Sequence, residues 1–206
     1  MTRRQKAILV GMVLGDAYLQ KTGKKNARIR LEHSVKQREY LEWKAKQFSK
    51  LFQGKSSELK RFNPVFGKEY CYLRWQSNSS PQIGEFQRLF YRQGKKIIPD
   101  NISSFLTKPV SLAVWFMDDG YLYHRDKMAY IYLPKVSLDE ILVLLTALRD
   151  NFALEAKLKV KKNGNKVLIF SVAETNKLMQ LIKKYIIAPM SYKLINPVST
   201  EGNLNI

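Results

Sequence analysis

Two apolar segments with the same ending organise this chain. Leu9-Val10-Gly11-Met12-Val13-Leu14-Gly15-Asp16-Ala17-Tyr18-Leu19 matches Leu112-Ala113-Val114-Trp115-Phe116-Met117-Asp118-Asp119-Gly120-Tyr121-Leu122. Each reads as a helix that is apolar on every side, the pattern of a buried helix, and each closes with an acid, a small residue, Tyr and Leu. The offset, from 16 to 119, is 103 positions, a repeat length of about half the chain.

The stretch after each segment also repeats. In the first half, Arg28 to Ser34 alternates polar Arg28, Arg30 and Glu32 with Ile29, Leu31 and His33, and predicts a strand. Arg38 to Phe52 predicts an amphipathic helix, 56–62 and Tyr70 to Gln76 two strands, and Gln82 to Arg92 a further helix. In the second half, Met128 to Leu133 matches the first strand and Ser137 to Phe152 the helix, with Ser137-Leu138-Asp139-Glu140 as a capping box. Strands near 156–162 and 166–172 join through Lys162-Asn163-Gly164-Asn165, where Asn-Gly is a hairpin signal, and Thr175 to Tyr185 closes as a helix. The expected class is α+β, two αββαββα halves over 1–98 and 110–206. Residues 99–109, with Pro99 and Pro109 at their ends, serve as linker.

Charge changes the picture from fold to partner. The 206 residues hold 36 Lys and Arg against 17 Asp and Glu, a net +19 that suits a polyanionic partner. Residues 1–100 carry +14 of this and residues 101–206 carry +5, so the first half should grip phosphate harder. A disordered basic tail is excluded by the 45% of hydrophobic residues. The longest apolar stretch, Ala7 to Gly15, is too short to span a membrane, and the N-terminal residues lack a secretory cleavage site, so an intracellular protein without membrane partners is expected. One cysteine, Cys71, allows no internal disulfide and reads as core. With only His33 and His124 besides, a structural zinc site is excluded and any metal must sit on oxygen.

The candidate chemistry lies in two matched pairs. If a pseudo-twofold relates the repeats, Asp16 and Asp119 come together at one end of the two helices. Two close carboxylates need a cation between them. Hard oxygen ligands suit Mg²⁺, or Mn²⁺, which would take further ligands from phosphate and support phosphodiester hydrolysis. Lys96 and Lys193, each shortly before a proline, follow their acids by 80 and 74 positions and could stabilise charge growing on phosphate. Gly11 and Gly15 allow close approach of a partner helix. For contact with DNA the candidates are Arg28, Arg30, Arg61, Tyr72, Arg74 and Gln76 in the first half, and Lys157, Lys159 and Lys161 in the second, with Arg and Gln supplying the chemistry that sequence readout in a major groove requires.

Taken together, these motifs resemble the single-chain, two-motif branch of the LAGLIDADG homing endonucleases. The likeness covers nearly the whole chain, including Lys96-Ile97-Ile98-Pro99-Asp100-Asn101 and Pro189-Met190-Ser191-Tyr192-Lys193-Leu194. It implies paired motif helices at the interface of two pseudo-symmetric halves, and saddle-shaped antiparallel sheets along the major groove of a long DNA target. It also implies Asp16 and Asp119 as metal-binding acids, Lys96 and Lys193 as the basic residues of two active sites, and double-strand breaks with short 3′ overhangs. Asp118, where the first helix has Gly15, departs from the general motif and reads as a helix-end hydrogen-bonding group. The rivals are an intron RNA maturase on the same fold, with intron RNA as partner, and a non-cleaving transcription factor. The second would carry a helix-turn-helix extension, for which thirteen residues after Lys193 leave no room. Two complete halves in one chain predict a monomer, in a prokaryotic cytoplasm or an organelle matrix.

Overall fold

The structure is a computed structural model that describes residues 1–195. It divides into two compact units, Met1–Pro99 and a second beginning at Asp100. The first runs α1 (Arg3–Leu14), β1 (Tyr18–Lys21), β2 (Ala27–Ser34), α2 (Arg38–Lys46), β3 (Ser57–Asn63), β4 (Lys68–Gln76) and α3 (Pro81–Phe90), then a short hairpin of β5 (Tyr91–Arg92) and β6 (Lys95–Lys96). The second runs α4 (Pro109–Asp119), β7 (Gly120–Tyr123), β8 (Met128–Tyr132), α5 (Leu138–Phe152), β9 (Lys157–Val160), β10 (Lys166–Ile169) and α6 (Val172–Ile182). Both follow αββαββα, and both build a four-stranded antiparallel sheet in the same order, β1-β2-β4-β3 and β7-β8-β10-β9.

The equivalence extends to individual hydrogen bonds. The ladder between β2 and β4 ends at Arg30 opposite Gln76, and the next free amide, that of Ile29, donates to the Ser77 hydroxyl at 2.9 Å. Between β8 and β10 it ends at Tyr130 opposite Ile169, and the amide of Ala129 donates to Thr175 Oγ1 at 2.8 Å. A buried amide left without a partner would cost about 1–3 kcal/mol, so each half closes its sheet with a hydroxyl.

Alternation decides which sheet face is covered. Along β2 every inward residue, Ala27, Ile29, Leu31 and His33, is buried, while Arg28, Arg30, Glu32 and Ser34 stay half-exposed. Helices α2 and α3 pack on the inward side of the first sheet, and α4 and α6 contact β8 in the second unit. Leu19, Ile29, Leu31 and Leu73 are at most 1% exposed, each burial contributing roughly 1.5–3 kcal/mol. Along α1, every residue from Ala7 to Leu14 is buried, as its unbroken apolar run requires. Among the described residues no helix is long and apolar enough to cross a membrane.

Several element ends differ from expectation, each for a local reason. The helix expected over Arg38 to Phe52 stops at Lys46. Beyond it the amides of Phe48 and Leu51 bond three residues back, and this tighter winding carries Phe48 and Phe52 into the core. The helix expected to reach Arg92 stops at Phe90, because Tyr91 is extended and starts a hairpin whose turn, Gln93-Gly94, has both φ angles positive. The strand expected to continue to 172 ends at Ile169. Ser171 caps α6 instead, accepting from the Glu174 amide at 3.3 Å, so that helix begins three residues before Thr175 and yields to a 3-10 turn after Ile182. Both halves of the Ser137 capping box are made.

Candidate functional site

Asp16 stands two residues beyond the last residue of α1, not on the helix as expected, because Gly15 leaves helical geometry at φ −89°, ψ −133°. Its turn is fixed by the Ala17 amide, which bonds the Met12 carbonyl at 2.8 Å. The side chain is 47% exposed, open enough to take a solvated ligand, and its Oδ2 lies 3.9 Å from Nδ1 of His33. His33 occupies the last inward position of β2. Its Nε2 is 3.0 Å from the Nζ of Lys44, which is wholly buried, and Gln37 Oε1 lies 3.3 Å from Nδ1. Nδ1 is the ring nitrogen on the side that faces Gln37 and Asp16.

Lys96 reaches the same turn. The β5–β6 hairpin returns the chain so that Lys96 Nζ donates to the Gly15 carbonyl at 2.7 Å, beside Asp16 and at the negative end of α1. The second unit repeats the contact. Lys193, 9% exposed on a 3-10 turn (Ala188–Lys193), donates to the carbonyls of Phe116 at 3.3 Å, Met117 at 2.5 Å and Asp118 at 3.3 Å. Each lysine therefore caps its own motif helix. Each also reaches the carbonyl one residue before the matched acid, Gly15 before Asp16 and Asp118 before Asp119. Asp118 and Asp119 both lie in the last turn of α4 and are half-buried. Gly120 behind them is required, since a Cβ there would stand 2.3 Å from Phe116 Cδ2 and 2.4 Å from the Phe116 carbonyl oxygen.

On the open face of the first sheet, register puts Tyr18 against Arg30, Arg30 against Gln76, and Glu32 against Arg74. Arg28, Arg30, Tyr72, Arg74 and Gln76 all share that face, with Arg61 on the edge strand β3 opposite Tyr70. Arg28 Nε donates to Gln20, and Arg30 stacks over Tyr18 at 4.7 Å. Glu32 holds ion pairs with Arg61 at 2.6 Å and Arg74 at 2.7 Å. Burial pushes its pKa up, but the bonds from Arg74 and Arg61 outweigh that and hold it below the usual glutamate value.

The second sheet has a different open face. Tyr121, Tyr123, Tyr130 and Tyr132 line it, with ring centroids 4.6 Å apart for Tyr121–Tyr123 and 4.5 Å for Tyr123–Tyr130. Lys157 and Lys159 pair on the edge with Ile169 and Val167. Lys161, just past β9, donates to the Tyr132 hydroxyl at 2.7 Å and lies 4.3 Å from its ring centre. That hydrogen bond pulls the Tyr132 phenol below its ordinary range. These lysines border a tyrosine cluster that the alternation pattern does not single out, because tyrosine counts as apolar while its hydroxyl seeks water. His33 joins the site as well. Its signal was a polar residue on the buried register of an alternating strand.

Residues 6–178 match the model of the LAGLIDADG DNA endonuclease family. The chain belongs to that family. Among curated relatives, this LAGLIDADG chain is 28% identical over 210 residues to Protein RecA of Mycolicibacterium flavescens, covering 95% of itself but 47% of that protein. The chain spans about half the length of the RecA relatives it matches. It is also 28% identical to the probable intron-encoded endonuclease 1 of Wickerhamomyces canadensis, with 95% and 85% covered, and 25% identical to the cytochrome b mRNA maturase bI2 of Debaryomyces hansenii, with 92% and 72% covered. Among solved structures it is similar to the homing endonuclease I-WcaI bound to its DNA recognition sequence, at a TM-score of 0.85 and 26% identity, covering 94% of this chain and 86% of that one.

Proposed function

We propose that this chain is a site-specific DNA endonuclease that hydrolyses both strands of a long duplex target with divalent metal, Mg²⁺ or Mn²⁺, leaving short 3′ overhangs. The observation that carries the reading is the same construction in both halves: an acid at the end of an apolar helix, and a lysine on the carbonyl immediately before it. Similarity to I-WcaI, described as bound to its DNA recognition sequence, supports the choice of duplex DNA.

Asp16 and Asp119 are the residues that would hold metal. A half-exposed carboxylate such as Asp16 is a hard, accessible oxygen donor, which fits a hydrated divalent ion. The ion, when bound, supplies Lewis-acid stabilisation of charge on the phosphoryl oxygens. Lys96 and Lys193 add positive charge beside each acid, and their bonds to helix-end carbonyls keep that charge in place. The His33 Nδ1 faces the Asp16 carboxylate from the buried side, 3.9 Å away. The open sheet faces hold the duplex, with Arg28, Arg30, Arg61, Tyr72, Arg74 and Gln76 from one half and Lys157, Lys159 and Lys161 from the other.

The test is incubation with Mg²⁺ and a randomised duplex library, followed by sequencing of cut ends. Wild type should cut a defined site. Asp16→Asn and Asp119→Asn should each abolish double-strand cleavage while binding persists, and near wild-type cutting by either variant would reject the assignment. The maturase relative favours a second reading, assistance to intron RNA folding on the same scaffold. Splicing of a candidate intron by the two Asn variants would separate that activity from cleavage.

A further inference from the structure

Glu32 is a carboxylate on the open face of the first half, whose residues 1–100 carry a net +14, and on the duplex-binding reading that face meets a polyanion. An acid there weakens attraction to every phosphate, so its presence calls for a compensating role. Its two oxygens are divided between two arginines from different strands. Oε1 takes Nη1 of Arg61 at 2.6 Å, and Oε2 takes both Nε, at 2.9 Å, and Nη2, at 2.7 Å, of Arg74.

The geometry of the second pair is selective. A guanidinium offers a side edge, Nε with Nη2, and an outer end, Nη1 with Nη2. Glu32 occupies the side edge of Arg74 and leaves the outer end directed away from it. That end is the bidentate fork that matches O6 and N7 of guanine in the major groove. Arg74 lies on the inner strand β4, directly opposite Glu32, with 27% of its side chain exposed. Arg61 lies on the edge strand β3, is 51% exposed and lies 5.1 Å over the Tyr72 ring, which suits backbone contact better than base readout.

We propose that Glu32 is a specificity-determining residue that positions Arg74 to read one guanine, while lowering affinity for non-target DNA. The inference rests on the duplex-binding reading. A free arginine on a long flexible stem can satisfy itself on any phosphate. Held by its side edge, it gains only where a guanine meets its outer end.

The experiment is affinity selection from a randomised duplex library in EDTA, so that nothing is cut, followed by titration on the selected duplex, its single-base variants and a scrambled duplex. Wild type, Arg74→Met, Glu32→Gln and Arg61→Met are compared, with melting temperatures to establish folding. Arg74→Met should relax one G·C position. Glu32→Gln should relax that same position by about tenfold or more. It should also bind the scrambled duplex more tightly and steepen the salt dependence. Arg61→Met should weaken all duplexes alike and leave that position read, which keeps the proposal testable should Glu32→Gln melt early. Full discrimination by Glu32→Gln at the position Arg74→Met relaxes would overturn the proposal. So would uniform loss at every position, or an Arg74→Met variant that relaxes none, and either would leave duplex binding standing. A wild-type chain that prefers no duplex overturns the DNA reading itself, and the wild-type arm alone identifies that failure.

Discussion

Replacing Lys193 with Met tests whether the two motif lysines are part of the fold as well as candidates for chemistry. Methionine keeps most of the apolar stem and removes the ammonium, which donates to three carbonyls at the end of α4. The Phe116 carbonyl keeps the Gly120 amide as a partner, so the loss falls on Met117 and Asp118. A buried acceptor stripped of its donor costs about 1–3 kcal/mol, and the lost charge at a helix C-terminus adds up to about 2 kcal/mol in a partly buried setting. Release of a desolvated ammonium offsets part of this, leaving about 3 kcal/mol. Lys96 is half-buried and serves one carbonyl, so Lys96→Met should cost about 1 kcal/mol. For a chain of 206 residues, 1 kcal/mol moves the melting temperature by roughly 2–4 °C. Calorimetry should therefore place the Lys193→Met transition about 6–12 °C below wild type, and Lys96→Met far less. Strand-resolved cleavage assays well below both transitions then report chemistry alone. A Lys193→Met protein that melts within about 2 °C of wild type would refute the capping argument and leave Lys193 as a purely chemical residue.

Thr175→Val removes the hydroxyl that accepts from Ala129 and donates to Phe170, and should lower stability by about 1–3 kcal/mol in chemical denaturation. Gly84→Ala would place a Cβ 1.9 Å from the Lys25 carbonyl oxygen and should cost more than about 2 kcal/mol, whereas Gly23→Ala, with open space around it, should be neutral by the same measurement. Glu32 is held below its ordinary pKa of 4.5 by two arginines, so its contribution to stability is present above that value and is lost as pH falls through the folded pKa. The stability difference between wild type and Glu32→Gln should accordingly shrink as pH falls below the ordinary glutamate value, and a constant difference would mean the pairs do not matter in solution.

Whatever local chemistry determines was legible in the sequence. The Ser137 capping box, the all-apolar motif helices and the alternation of β2 could be read because each depends on neighbours a few residues away. The ends that moved depend on partners far along the chain. Phe48 and Phe52 keep helical spacing, yet the backbone turns early to bring them into the core, and Tyr91 leaves its helix to pair with Lys96. The candidate site divides in the same way. Asp16, Asp119, Lys96 and Lys193 could be found by repeat, whereas the capping by each lysine and the Lys44–His33–Asp16 chain join residues from separate elements.

The duplication also explains why one open face was legible and the other was not. Side chains alternate across a strand, so inward and outward positions are under separate constraints. Inward, the halves remain alike: Leu19 and Leu122 lie at most 3% exposed beside each helix end, as do Leu31 and Ile131 in the central strands. Outward, the pairs have diverged, Arg30 with Gln76 and Glu32 with Arg74 in one half, Tyr130 with Ile169 and Tyr132 with Val167 in the other. The first face offers directed donors and acceptors, and the second, where Val167 is fully covered, offers aromatic edges beside Lys161. On the proposed reading, the first half discriminates bases by hydrogen bonds and the second by thymine methyl contact and backbone attraction. A single chain with two such unlike faces has no reason to prefer a palindrome, in contrast to a one-motif relative that must present the same face twice.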